Sequence, residues 1–361
     1  MKTQDERCDR PSASSMERLM LCPGSHQASR GIKEMKSEAA ESGSRIHGLI
    51  AGDKVENTTN EEEQMAWRCN AIADSLVLNA FYHKLEDCSN VSREERLWAM
   101  SDKRKSYSGK ADLMVAHGTK GLVIDFKTGR GEVDSAEENI QLRTLAVLMY
   151  LNGIEGVDRI GVAIIQPLVT DRPTVAWYER GALEDAQRQI RAIIKLAEAE
   201  GAPRMPGERQ CKYCPARARC PEASSAIATM TVLPSSLAEL TSEQLSQKLD
   251  ACIVADSVVA CIREEARHRI ENGEGIYGWE MKAGVVKETI TKPEAVFARF
   301  TEIGGTSEQF MAAVSVAKGK LQDAVRAATG KVGKELTIKM ESLLAGCTEE
   351  KQNAPSLRKI K

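Results

Sequence analysis

Two apolar runs separated by four turn residues constrain this chain more than any other stretch. They lie in GKADLMVAHGTKGLVIDFKTG, residues 109 to 129, where Ser108–Ala116 and Gly121–Thr128 read as strands joined by His117-Gly118-Thr119-Lys120. So short a connection makes the strands an antiparallel hairpin. With the turn centred between Gly118 and Thr119, Asp112 stands directly opposite Asp125, and opposed residues have Cβ atoms about 4.5–5.5 Å apart. Two carboxylates at that separation repel unless a cation lies between them. Hard divalent ions such as Mg²⁺ or Mn²⁺ favour such oxygen-rich sites. Lys127 follows Asp125 by two residues, so alternation turns its ammonium to the same face. There it would steer water or stabilise charge developing on a phosphate. Ile124 and Phe126 turn the other way, into a core. The bland alternative is a surface hairpin with scattered charges, because D-x-K is a frequent tripeptide; the pairing with Asp112 weighs against it.

Around the hairpin the periodicity places a helix from Ser12 to Cys22, another from about Ser37 to Ala51 and a long one near Glu61 to Leu85. A strand near Glu94 to Met100 precedes the hairpin. A helix over Ser135–Leu151, short strands at Arg159–Gln166 and Thr174–Tyr178, and a helix over Leu183–Glu200 follow it. This order gives an α/β domain with a mixed sheet. After Cys220 the texture becomes mainly helical, with a Gly-rich interruption at 272–278. Pro221 and Pro234 support a boundary near 222–235, hence a domain over 1–222 and a helical region over 223–361 with a loose polar tail.

At 361 residues and 42% hydrophobic the chain is long enough for a sizeable core. No apolar run reaches the roughly 18 residues that span a bilayer. The N-terminus MKTQDERCDR lacks a signal-peptide core, so a cytoplasmic protein without membrane contact is expected. The net charge of −2 announces no nucleic-acid partner, yet a local groove can be basic within a neutral whole. Local clusters exist at Lys103, Arg104, Lys105 and Lys110, and at Arg358, Lys359 and Lys361, each equally readable as a solvated loop or tail. In a reducing compartment ten cysteines are poor disulfide candidates. Cys211-x-x-Cys214-x₅-Cys220 is a compact triad, one ligand short of a closed four-thiolate site. Cys22, in LMLCPGS, is the plausible fourth. Cys8, Cys69, Cys88, Cys252, Cys261 and Cys347 show no ligand spacing.

These residues carry a resemblance. A-D-L and I-D-F-K-T-G, with twelve residues between their aspartates, together are similar to the PD-(D/E)XK nucleases, in particular to their RecB-like and CRISPR-adaptation exonuclease branch. Ala39-Ala40-Glu41-Ser42-Gly43-Ser44-Arg45-Ile46-His47 resembles that branch's upstream helix, which supplies a histidine ligand. Gln141 resembles the glutamine of its Q-x-x-x-Y motif, although Leu145 stands where the tyrosine would be. A distant cysteine followed by C-x₂-C-x₅-C is the pattern of the iron–sulfur exonucleases of the same superfamily. The resemblance covers residues 12 to about 222.

It implies a PD-(D/E)XK (restriction-endonuclease-like) core and a metal-dependent deoxyribonuclease. Asp112, Asp125, His47 and the Phe126 carbonyl would hold Mg²⁺ or Mn²⁺, Lys127 would orient the attacking water, and Gln141 would hold the scissile strand. Glu95 could support the site, with Glu94 nearly as good a candidate and a surface role open for both. Cys22, Cys211, Cys214 and Cys220 would bind a 4Fe-4S cluster, zinc being the alternative, and close a loop of about 190 residues. The C-terminal region is similar to tails of phage-encoded nucleases, which implies phage replication or recombination and a single-strand annealing or single-strand-binding partner. Trp279 suits base stacking or, more plainly, a core. A nuclease-like DNA-binding or assembly module without cleavage, or a zinc-stabilised interaction protein, are the competing readings. An oligomer fits any of them.

Overall fold

A computed structural model describes residues 9–32, 38–131, 133–153, 157–170, 172–231, 236–281, 293–302, 306–314, 318–331 and 333–345. Cys8, Pro234, Cys347 and the terminal Arg358, Lys359 and Lys361 lie outside them. The chain divides into two compact units, Met1–Met281 and Lys282–Lys361.

The first unit begins with a 3₁₀ turn at Ala13–Ser15, then α1 (Met16–Leu21), α2 (Ser25–Ala28), α3 (Glu38–Ala51) and α4 (Asn60–Phe81). Next come β1 (Asn90–Ser101), β2 (Arg104–His117), β3 (Lys120–Phe126), α5 (Ile140–Leu151), β4 (Arg159–Ile165), β5 (Thr174–Glu179) and α6 (Arg180–Glu198). Three further helices, α7 (Glu208–Lys212), α8 (Pro221–Thr231) and α9 (Ser242–Glu271), complete it. The second unit contains α10 (Pro293–Glu302), α11 (Ser307–Ala313), α12 (Lys318–Thr329) and α13 (Gly333–Leu344). The described region beyond Cys220 is thus helical, apart from turns and a bridge between Ile276 and Trp279 that leaves Trp279 76% exposed.

The sheet has the order β1-β2-β3-β4-β5, antiparallel throughout except for the parallel β3–β4 pair. α5 lies in the crossover that this parallel pair needs. The β2–β3 ladder runs from Leu113↔Ile124 to His117↔Lys120, which is the register expected from the turn. Asp112 and Asp125 are the next residues along each strand. The β1–β2 turn, Asp102-Lys103, has φ of 48° and 61° at its two residues, the left-handed pair of a tight two-residue hairpin.

Two apolar layers sandwich the sheet. On one face Met114, Ala116 and Val123 pack against Leu142, Leu145 and Leu148 of α5, Ile190 of α6 and Met16 of α1. On the other, Leu113, Val115, Leu122, Ile124 and Phe126 pack against Ile46 and Ile50 of α3 and Ala73 and Val77 of α4. Gly109 makes the first layer possible: a Cβ there would lie 2.5 Å from Leu145 and 2.7 Å from Leu148. Leu145, at the motif's tyrosine position, is therefore a core residue, 1% exposed.

Several helices start or stop differently from their periodicity, for local reasons. The helix expected from Ser135 starts at Ile140 because Asn139 caps it, its Oδ1 accepting from Leu142 N at 3.1 Å. α4 stops at Phe81, where Tyr82 turns left-handed at φ 60°. Among the described residues no helix is long and apolar enough to cross a membrane.

Candidate metal and phosphodiester site

The site forms where β2 and β3 leave their ladder and the C-terminal half of α3 brings His47 to them. Its first group is His47, Glu94 and Asp112, whose ligand atoms all lie within 4.8 Å of one another; among the described residues no other His, Cys, Asp or Glu trio does so. His47 Nδ1 is 3.2 Å from Asp112 Oδ1 and 3.6 Å from Glu94 Oε1. The other carboxylate oxygen of Asp112 accepts from Phe126 N at 2.7 Å, which ties the ends of β2 and β3 together.

The second group is Asp125, Lys127 and Gln141. Lys127 Nζ lies 2.8 Å from Asp125 Oδ2, and Gln141 Nε2 donates to Asp125 Oδ1 at 3.0 Å. Lys127 also donates to Gln141 Oε1 at 3.4 Å, closing a three-membered ring of contacts. Gln141 reaches it from the first turn of α5.

Charge within the site is set by these contacts. Burial opposes protonation of His47, but its hydrogen bond to Asp112 and the neighbouring Glu94 carboxylate outweigh that and lift it to about 10. Burial, reinforced by the Asp125 charge and opposed by His47, holds Asp112 above the usual carboxylate range. Burial would lower Lys127, yet Asp125 beside it keeps the ammonium above its ordinary value. Glu94 is held below its ordinary value, since His47 and Lys110 offset its burial.

The sequence weighed Glu95 above Glu94, and the structure places them the other way. Glu95 is exposed, whereas Glu94 points at His47 and pairs with Lys110 Nζ at 2.6 Å. The reason is a break in strand alternation. Glu94 has φ 52°, a left-handed value that a non-glycine residue seldom adopts. The ladder pairs Arg93↔Leu113 and Glu95↔Ala111, and the Glu94–Asp112 rung between them is missing. On β2 the faces exchange at the same point: Tyr107 and Ala111 share a core with Met114 and Ala116, while Leu113 and Val115 lie in the other.

The cysteines gather elsewhere. Cys22, Cys211 and Cys214 are buried and Cys220 half-buried. Met205 N donates to Cys22 Sγ at 3.2 Å and Gly207 N to Cys211 Sγ at 3.3 Å. Burial pushes the Cys211 thiol up, the Gly207 N–H opposes it, and Cys214, Cys22 and Cys220 are near enough to add to it. Gly24 lets the two segments close: a Cβ there would lie 2.4 Å from the Ala202 carbonyl oxygen. α7 bears Arg209, which pairs with both Glu17 of α1 and Asp134 ahead of α5. Of the basic cluster, Lys105 stacks on Trp98 at 4.3 Å and only Lys110 joins the site.

Fold and site together define an α/β protein with an imidazole–carboxylate cluster at one end of a mixed sheet. The chain belongs to the family described as "Protein of unknown function (DUF2800)", whose model matches residues 10–359. No curated protein matches it. Among solved structures, a provisionally assigned exonuclease from Eubacterium rectale is 11% identical, with 55% of this chain and 89% of that one covered at a TM-score of 0.34. An alkaline exonuclease from Laribacter hongkongensis is 10% identical over 53% and 89% at 0.27. A phage-related exonuclease from Haemophilus somnus 129PT is 15% identical over 52% and 92% at 0.26. Likeness at these scores decides nothing about this chain, whose chemistry rests on its own residues.

Proposed function

We propose that this protein is a divalent-metal-dependent DNA exonuclease that hydrolyses phosphodiester bonds. The observation that carries the reading is the convergence of two groups at one sheet end: His47, Glu94 and Asp112 beside Asp125, Lys127 and Gln141. Two carboxylates and an imidazole within 4.8 Å of one another suit a hard divalent cation. His47, Asp112 and Asp125 with the Phe126 carbonyl would hold Mg²⁺ or Mn²⁺, and Glu94 joins them. When bound, the cation supplies Lewis acidity toward a phosphate oxygen and toward water.

The remaining chemistry belongs to the chain. Lys127, kept protonated by Asp125, donates to a phosphate oxygen as negative charge accumulates there. Gln141 fixes Asp125 and Lys127 relative to each other and lines the path of the scissile strand. Cys22, Cys211, Cys214 and Cys220 hold a 4Fe-4S cluster in this reading. Backbone N–H groups aimed at two of the sulfurs favour thiolates, a preference that zinc would share. A setting in DNA replication or recombination, beside a single-strand-binding or annealing partner, suits the activity.

End-labelled linear and closed circular DNA, incubated with Mn²⁺, Mg²⁺ or EDTA, test the reading. Metal-dependent loss of linear DNA alone is expected, with Asp125→Asn reducing the rate at least a hundredfold while its circular dichroism matches wild type. Wild-type cleavage by Asp125→Asn would refute the site. Metal-independent DNA binding without cleavage would favour a binding module.

A further inference from the structure

α3 ends on a Schellman turn. Gly52 is left-handed at φ 89°, Asp53 N donates to the Gly48 carbonyl at 2.9 Å, and Gly52 N donates to the Leu49 carbonyl at 3.1 Å. Those bonds satisfy Gly48 and Leu49 and leave the Ile50 carbonyl to a side chain. Arg93 of β1 supplies it: Nη1 donates to the Ile50 carbonyl at 3.1 Å and to Asn70 Oδ1 of α4 at 3.3 Å. A cation is favourable at a helix C-terminus, where the last carbonyls concentrate negative charge. One half-buried arginine therefore joins the end of α3 to α4 and to the sheet.

The strand ties that contact to the site. Arg93 pairs with Leu113, which packs in the layer against α3 and α4, and opposed residues share a face. Regular alternation would send Glu94 to the opposite face. Its φ of 52° breaks the alternation, and Glu94 Oε1 lies 3.6 Å from His47 Nδ1. Consecutive residues of β1 thus both reach α3, at points about one helical turn apart: Glu94 at His47 and Arg93 at Ile50. On the N-terminal side of His47, Arg45 Nη2 donates to Glu62 of α4 at 2.7 Å. His47 is held between two anchors, and the Arg93 anchor is continuous in the chain with Glu94.

We infer that Arg93 is a positioning residue, which holds the last turn of α3 against β1 and so presents the His47 imidazole to Glu94 and Asp112. It acts through His47 and binds no metal itself. The inference rests on the reading of this trio as a metal site.

The test uses the full chain, purified anaerobically without added divalent metal. Mn²⁺ is titrated by calorimetry, and pulsed EPR of the complex reads the coupling of Mn²⁺ to a histidine nitrogen. Arg93→Met keeps the apolar stem and drops the guanidinium. It is expected to weaken Mn²⁺ binding roughly ten- to a hundredfold, the range for residues that orient a metal ligand, and to lose the nitrogen coupling. Arg93→Lys, which retains a cation, is expected to recover part of both. In a His47→Asn background Arg93→Met is expected to cost nothing further, because the two substitutions remove one interaction. Wild-type affinity and coupling in Arg93→Met overturn the inference and leave the metal site standing, as do losses that add in the double variant. A wild type that binds no Mn²⁺ removes the metal site instead, and hydrogen exchange then decides about Arg93. Faster exchange confined to the α3 amides in Arg93→Met retains the anchor; unchanged exchange overturns it. Arg93→Gln takes the place of Arg93→Met in every comparison should the latter fail to fold.

Discussion

His47 shares its Nδ1 between two carboxylates, and that arrangement couples proton and metal at one nitrogen. Its pKa rises from an ordinary 6.5 to about 10 in the folded protein. The sign follows directly. A raised value means that the proton stabilises the metal-free fold fully below pH 6.5, and that this contribution fades as pH rises toward 10. A cation at the same nitrogen must displace the proton. Mn²⁺ affinity should therefore climb with pH between about 6.5 and 10, by roughly tenfold per unit for one proton released. Calorimetric Mn²⁺ titration across that range checks it, and His47→Asn should flatten the slope; an equally steep slope in the variant would place the proton elsewhere. Five residues of the constellation, namely His47, Asp112, Asp125, Lys127 and Gln141, could be named from sequence and do meet in space. Glu94 could not be singled out. Choosing between Glu94 and Glu95 by strand parity presumes an extended backbone, and Glu94 departs from one.

At the scale of elements, the irregularity in β1 is the feature that aims a carboxylate. A left-handed conformation costs an L-residue about 1–2 kcal/mol, and glycine avoids that cost. Glu94→Ala and Glu94→Gly both remove the contacts to His47 and Lys110, so their difference isolates the backbone. Glu94→Gly should be the more stable by about 1 kcal/mol in urea denaturation, with both weaker in metal binding. Equal stabilities would mean that the strand relaxes to an extended form once the carboxylate is gone. The β2–β3 pairing was legible to the residue, because a short turn fixes the register of everything beyond it. Helix ends were less so, since Asn139 and Tyr82 decide them through cap geometry that periodicity does not report. The start of β1 at Asn90 was missed as well, Asn90–Arg93 being polar apart from the exposed Val91.

At the scale of the molecule, the first unit is tied together by contacts between segments 183 residues apart. α1 and the Cys22 turn dock on residues 202–212, through Gly24, Met205 and Arg209. If the four cysteines share a cluster there, anaerobically purified protein will carry iron and sulfide in equal amounts. Cys22→Ala should then lose both, and lose on the order of 2–5 kcal/mol of stability, the scale of other long-loop crosslinks. Zinc without iron would replace the cluster by a zinc site. Unchanged stability and metal content in Cys22→Ala would remove Cys22 from the ligand set. The three-layer α/β architecture followed from the order of helical and strand patterns. The closeness of the Cys22 turn to the 205–207 loop did not, because nothing local in either segment encodes the other.

That closure also has a schedule. Met205, the donor to Cys22, lies 183 residues further along the chain. At translation rates of about 5–20 residues per second, the donor to Cys22 is made roughly 10–40 s after Cys22 itself. Met16 of α1 can pack against α5 before then, but Cys22, buried in the finished protein, lacks its cover throughout that interval. Slower synthesis between those two points lengthens the exposure without altering a single native contact.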